Sequence, residues 1–249
     1  MMAQPIAVVL AAGKGTRMKS DLPKVLCEAN GRPLIDWVLD ALEAAGVQQF
    51  LVVVGYEADR VKKALQDRDG VKFVLQDQQL GTGHAVKVCE DHLQGHDGPV
   101  LIVAGDSPMI QPESIRSLLD GFETEALDCL LGTLLKDNPQ GLGRIVRDKA
   151  GRFEGIVEEK DATDEQRAIN EVNMSTYLFR PEHLLWALGQ LKNNNRQGEF
   201  YLTDCPAILL GAGRKIDALP VLKPCEALSV NTVDELAEVE IALQKLAES

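Results

Sequence analysis

A doubly wound, Rossmann-like α/β fold, with a mixed but mostly parallel sheet, is what this sequence predicts, and three observations carry the prediction. Short apolar runs of strand length alternate with amphipathic helical stretches from Ile6 to Leu135, the pattern of parallel strands joined by helical crossovers on both faces. A Gly-rich turn, Gly13-Lys14-Gly15, follows the first apolar run, at the end of a strand, where open α/β sheets take their ligands. From Asn138 onward the strands come closer together, which adds a small antiparallel part.

Taken in order, Ile6 to Leu10 is a buried strand. Pro33 opens a helix with Leu34, Ile35, Val38, Leu39, Leu42 and Ala45 on one face, and Gly46 stops it. Phe50 to Val54 is a strand, Ala58 to Leu65 a short helix and Val71 to Leu75 a strand. The polar, Gly-containing stretch Gln76 to Ala85 leads into a helix through Val86 and Cys89. Pro99 to Ala104 is a strand closed by Gly105-Asp106-Ser107-Pro108, residues 112–119 are helical, and Cys129 to Leu135 is a strand. Residues 141–147 and 153–158 pair as a hairpin, 159–167 is a charged loop or short helix, and Asn173 to Phe179 is a strand. Pro181 to Leu191 and Tyr201 to Leu210 are helical, and Lys215 to Leu222 is a strand. Thr232 and Glu235 form a capping box before a last helix carrying Leu236, Val239, Leu243 and Leu246. Trp37 and Trp186 sit on apolar helical faces and are expected in the core.

At 249 residues the chain can bury one substantial core. Its 38 acidic and 26 basic residues give a net charge of −12, the wrong sign for a nucleic-acid or anionic-membrane binder. No apolar run has the length of a membrane span and no charged start of a signal peptide precedes residue 6, so a cytoplasmic protein is expected. Five well-separated cysteines without a C-x-x-C pair argue against a disulfide framework and read as small core hydrophobes. The four histidines have no metal-ligand spacing.

The stretch from Leu10 to Lys24 places two glycines, Arg17 and three lysines beyond the first strand. Backbone N–H groups at such a turn converge on anions, so a phosphate site is expected; a solvated surface turn is the plain alternative. Neither common phosphate loop fits. Met18 stands where G-x-G-x-x-G needs its last Gly, and Gly15 follows Gly13-Lys14 where a Walker A loop needs Ser or Thr. Asp106, at the carboxyl end of a buried strand, can hold Mg²⁺ with one further oxygen, or simply cap its turn. Asn231 can supply that oxygen, because Thr232 is the better helix cap and leaves the Asn231 side chain for another task.

The motifs LAAGKGTRM, LPKVL, VLQDQQLGTGHAV, GD at 105–106, GRIVRD, GIVEEKDATDEQR, EVN, NNNRQGEFYLTD and VN at 230–231 occur in order along nearly the whole chain. Together they resemble the uridylyltransferase domain of the bacterial bifunctional N-acetylglucosamine-1-phosphate uridyltransferases. The resemblance implies a nucleotide-diphospho-sugar transferase fold, with a nucleotide-binding half (about 1–137), a sugar-binding half (about 138–228) and a C-terminal helix (229–249). It implies a Mg²⁺-dependent reaction of UTP with N-acetylglucosamine 1-phosphate, giving UDP-N-acetylglucosamine, a cell-envelope precursor, and pyrophosphate. Another hexose 1-phosphate or nucleoside triphosphate, or a catalytically silent nucleotide-sugar sensor, are the alternatives. The hexapeptide-repeat acetyltransferase half has no counterpart here, so a monomer or small homo-oligomer, and a separate acetyltransferase, are expected.

By that resemblance, Leu10, Ala11, Ala12, Gly13 and Gly15 meet the nucleotide through the backbone. Arg17 holds the UTP phosphates, and Lys24 the sugar phosphate or leaving pyrophosphate. Gln76, Gly81 and Thr82 recognise uracil and ribose, Asp106 and Asn231 hold Mg²⁺, and Gly143, Glu158 and Asn173 bind the sugar. Near neutral pH a phosphate monoester is largely dianionic, so its oxygen attacks the α-phosphorus without a general base, and the absence of a Ser/His/Asp or Cys/His set is expected. Positioning and cations are what remains to be supplied. Against the usual family pattern, Ala104 and Leu142 stand in place of Tyr, Met174-Ser175 in place of Thr-Gly, and Cys27 in place of His. Three of these four changes lie beside expected sugar contacts, so the sugar is the less constrained substrate. His84, the charged run 159–167 and the turn 193–199 read as structural from their composition, although the resemblance assigns 193–199 to the sugar side.

Overall fold

The computed structural model describes residues 3–15, Met18 and residues 21–247. The chain folds as β1 (Ile6–Ala11), β2 (Glu28–Ala29), β3 (Arg32–Pro33), α1 (Leu34–Ala44), β4 (Gln49–Val54), α2 (Ala58–Ala64) and β5 (Val71–Leu75). It continues as α3 (Thr82–Lys87), α4 (Glu90–Leu93), β6 (Val100–Ala104), α5 (Pro112–Thr124), β7 (Cys129–Leu135), β8 (Gly143–Arg147) and β9 (Phe153–Val157). The last elements are α6 (Asp164–Arg167), β10 (Glu171–Phe179), α7 (Pro181–Gln190), α8 (Cys205–Gly211), β11 (Ile216–Leu219) and α9 (Val233–Ala247).

The main sheet runs β11-β7-β10-β6-β1-β4-β5, with β8 and β9 attached beside β10. β1 is parallel to both β4 and β6, β4 to β5, and β11 to β7, whereas β10 is antiparallel to β6 and β7. The order leaves β1 toward β4 and β5, then crosses back to β6 on its other side. That reversal opens a crevice at the carboxyl ends of β1 and β6. Leu10 lies opposite Ala104, and Gly105 N–H donates to the Leu10 carbonyl at 2.9 Å. The Gly-rich turn and the Asp106 turn are therefore neighbours.

Alternate strand residues feed two cores. Ala7, Val9, Phe50, Val52, Leu101 and Val103 pack with Ile35, Leu39 and Leu42 of α1 and with Ile115 and Leu118 of α5. Val8, Leu51, Val53, Val100 and Ile102 pack with Val86, Cys89 and Leu93 and with Leu184 and Leu188 of α7. A third, smaller cluster joins Cys27, Ala29 and Leu34 to Val239 and Leu243 of α9. The two-sided burial explains why the sheet strands read as continuous apolar runs rather than as an alternation.

Several expectations change. The helix through Val86 and Cys89 is two short helices, and α5 runs on to Thr124. The last strand ends at Leu219 because Pro220 has no N–H to donate. Residues 202–204 form a 3-10 turn, and α8 starts at Cys205 with Pro206 in its first turn, where a missing N–H costs nothing. Trp186 is 46% exposed: it lies two residues, about 200° around the helix, from the buried Leu184. Trp37 is half-buried, packs against the third cluster, and donates Nε1–H to the Ala29 carbonyl at 3.2 Å. Leu246 runs past that cluster and is 41% exposed. Four cysteines are buried and Cys225 is half-buried, all as thiols. No helix among the described residues is long and apolar enough to cross a membrane.

Candidate active site

Lys24 stands at the centre of the crevice. It opens a 3-10 turn, Lys24–Leu26, anchored by the buried Val25 and Leu26. Its ammonium forms an ion pair with Asp106 and donates to Asn231 Oδ1 at 2.7 Å. Three residues separated by 82 and 207 positions in sequence are thus tied to one nitrogen. The Lys24 and Asp106 side chains are 13% and 24% exposed, so the pair is largely shielded from water. Asn231 is held from behind: Glu235 Oε2 accepts the backbone N–H of Asn231 at 2.7 Å and of Thr232 at 2.9 Å, while Glu235 N–H donates to Thr232 Oγ1 at 3.2 Å. The capping box therefore also fixes the neighbouring Asn231, a positioning role of Glu235 that its sequence pattern did not disclose.

Leu10 and Ala11 end β1, and Ala12 accepts the Tyr56 N–H at 3.1 Å. Among the described residues, nothing lies within 4 Å of where a Cβ on Gly13 would stand. Gly15 is glycine for two other reasons: its φ is +64°, and a Cβ would lie 2.6 Å from Lys24 Cβ. Lys14 places its ammonium 5.2 Å from the Tyr56 ring centroid. Arg17 lies outside the described residues.

The expected base-recognition residues form a packed corner. Gln76 is buried, donates Nε2–H to the Gly81 carbonyl at 3.1 Å and meets His84 Nδ1 at 3.1 Å. Thr82 Oγ1 accepts the Leu202 N–H at 3.1 Å. Gly81 has φ +108°, and a Cβ there would lie 2.6 Å from the Phe200 carbonyl oxygen. Gln79, not singled out in the sequence, donates to the Gln76 carbonyl at 3.1 Å.

A cleft of about 430 Å³ adjoins Asp106 and Asn231 and is lined also by Ala104, Leu142, Asn173, Met174 and Ser175. The four positions that depart from the family pattern on the sugar side thus face one space. Ser175 has φ +55° at the β10 bulge between Asn173 and Thr176, the conformation that a glycine adopts most readily. Asn173 is buried, pairs with Gly143 across β10 and β8, and donates Nδ2–H to Tyr177 Oη at 2.7 Å. Glu158 lies apart from that cleft, in a second cavity of about 360 Å³ with Asp161, Tyr201, Thr203 and Asp204. Thr203 Oγ1 donates to it at 3.0 Å, while burial, with Asp204 and Asp161 adding to it, raises the carboxyl above the ordinary glutamate range. Among the described residues, no group of three or more His, Cys, Asp or Glu side chains gathers as a metal site.

A mostly parallel sheet with its crevice at the β1–β6 reversal and a Gly-rich turn at that crevice place the chain in the α/β class whose ligands bind at such a reversal. The chain belongs to the MobA-like NTP transferase domain family, which it matches over residues 7–163. It is 42% identical over 238 residues, 95% of its length, to bifunctional protein GlmU of Geotalea daltonii, and 43% identical over 239 residues, 96% of its length, to bifunctional protein GlmU of Clostridium acetobutylicum. It spans about half the length of these curated relatives, 52% of each. UDP-glucose pyrophosphorylase, solved in complex with UDP-glucose and in its apo form, has the same fold. The TM-scores are 0.76 and 0.78 at 19% and 18% identity, covering 97% and 98% of this chain and 99% of each solved chain.

Proposed function

We propose that the chain is a uridylyltransferase that joins UTP to a sugar 1-phosphate, N-acetylglucosamine 1-phosphate first among them, and releases pyrophosphate. The observation that carries this reading is the convergence of Lys24, Asp106 and Asn231 on one point of the crevice beside the Gly-rich turn that follows β1. The membership in an NTP transferase family and the relatives named above support it. The nucleotide-binding half is 1–137 and the sugar-binding half 138–228, in the cytoplasm.

Asp106 and Asn231 are the residues to hold Mg²⁺. A carboxylate and an amide oxygen are the hard donors this ion prefers, and a cation, the Lys24 ammonium, already sits against both. When bound, the ion neutralises charge that builds on the triphosphate. The backbone from Leu10 to Gly15 orients the phosphates, whose charge the family resemblance assigns to Arg17. Gln76, Gly81 and Thr82 shape the base corner, and Asn173, paired with Gly143, contacts the sugar in the cleft, which Glu158, in its separate cavity, does not share. The sugar-phosphate oxygen forms its bond to the α-phosphorus as the bond from that phosphorus to the β-phosphate oxygen breaks. Lys24 stabilises the pyrophosphate that leaves.

Pyrophosphate release measured over a panel of triphosphates and sugar 1-phosphates tests the substrates. UTP with N-acetylglucosamine 1-phosphate is expected to lead. A different hexose in first place would move the assignment to the altered cleft, and nucleotide binding without turnover of any sugar would favour a sensor. Asp106→Ala should lower turnover at least ~100-fold at saturating Mg²⁺, the loss usual for a preorganised charge-stabilising group. Unchanged turnover refutes the metal assignment.

A further inference from the structure

We infer that Lys24 is a placeholder cation: without nucleotide its ammonium occupies the seat between Asp106 and Asn231, and the divalent ion takes that seat as the triphosphate draws Lys24 away. The inference rests on the metal assignment above and adds an order of events to it. Lys24 contacts both proposed ligand oxygens at once, Asp106 Oδ2 and Asn231 Oδ1. A lysine ammonium and a divalent ion cannot share the same two oxygens, because two cations would stand within a few ångströms of each other in a poorly hydrated site. Neither partner is loosely placed. Asn231 is fixed by the Glu235 capping box, and Asp106 sits at a strand end whose backbone carbonyl accepts the Val230 N–H at 3.4 Å.

Two protein oxygens also make a poor Mg²⁺ site by themselves, since the ion draws its remaining ligands from water and substrate phosphates. A bound triphosphate changes both sides of the competition: it offers the ammonium new anionic partners and offers the metal new oxygens. Lysine suits the exchange, because its compact charge rides on a flexible four-carbon stem. Gly15, lacking a Cβ 2.6 Å from the root of that stem, keeps the adjacent backbone from obstructing it. Metal and nucleotide then bind with positive, reciprocal coupling.

The test uses Mn²⁺ as the probe, without sugar phosphate so that nothing turns over. Binding is followed by electron paramagnetic resonance in the natural chain and in Lys24→Met, Lys24→Arg and Lys24→Met/Asp106→Ala. Lys24→Met should bind Mn²⁺ alone at least tenfold more tightly than the natural chain, Lys24→Arg should stay weak, and the double variant should lose the gain. Equal or weaker binding by Lys24→Met overturns the placeholder. If Asp106→Ala meanwhile lowers Mn²⁺ uptake by the natural chain, the metal assignment survives that failure. A gain that persists in the double variant overturns both. A second measurement covers a variant that does not fold. In the natural chain with ¹³C-methylated lysines, the Lys24 signal, identified by its loss in Lys24→Arg, should move with UTP and Mg²⁺ and not with millimolar Mg²⁺ alone. A shift with Mg²⁺ alone, or none with both, overturns the inference.

Discussion

Gly15 shows how much one absent carbon can arrange. Its positive φ would cost alanine about 1–2 kcal/mol, and the new Cβ would press on Lys24 at 2.6 Å. Gly15→Ala is expected to lower stability by about 2–4 kcal/mol in a urea titration, and turnover by about 100-fold through the displaced Lys24. Ser175 is the opposite case, a side chain where the backbone favours none. Ser175→Gly should raise stability by about 1 kcal/mol, and a loss would mean that Ser175 has a contact outweighing its strain. Glu158 supplies a pH dependence. Its folded carboxyl is raised above the unfolded value of 4.5, so just above pH 4.5 the folded state keeps a proton that the unfolded chain has released. Its contribution to stability is therefore present below that pH and falls as pH rises through the folded value. Glu158→Gln still offers Thr203 an acceptor, and should gain melting temperature relative to the natural chain as pH is raised from 4.5 toward neutrality. A constant difference between the two would contradict this sign.

At the scale of elements, the start of α9 does two tasks. Thr232 and Glu235 satisfy the first turn of the helix and also clamp the Asn231 backbone beside Lys24. Thr232→Ala should cost about 1 kcal/mol, the usual loss of a cap. It should also weaken divalent-ion binding in the UTP complex, which an isolated stability change would not do. The β10 bulge is a second such element. It shifts register between Asn173 and Thr176, and Asn173, Met174 and Ser175 all line the cleft. Nothing in the letters EVNMSTYLF signals that bulge except the absence of strict alternation.

For the molecule as a whole, ligand binding is linked to folding. UTP with Mg²⁺ at about 100 times its dissociation constant should add about 2.7 kcal/mol, a rise of roughly 5–10 °C in melting temperature for a domain of this size. Asp106→Ala should lose the Mg²⁺-dependent part of that rise, and a rise unaffected by Mg²⁺ would place the ion elsewhere.

The strand and helix order, the two faces of the sheet and the crevice beyond β1 were legible because continuous apolar runs, Pro33, Gly46 and the capping box at Thr232 act through near neighbours or through burial alone. The family motifs carried the identities of Lys24, Asp106 and Asn231 as well. Their joining at one nitrogen was not legible, since contacts across 82 and 207 residues depend on strand order and on the exact placing of a turn. The same holds for the separation of Glu158 from the cleft that holds Asn173, and for Trp186, whose apolar letter says nothing of the helix face it occupies. Sequence alone thus determined the class of fold and the chemistry its residues can do, because propensity and hydrophobic pattern are local. Only the tertiary structure decided that the Lys24 ammonium lies against both Asp106 and Asn231 and which residues share a cavity, because those follow from long-range packing, where a difference of an ångström decides a contact.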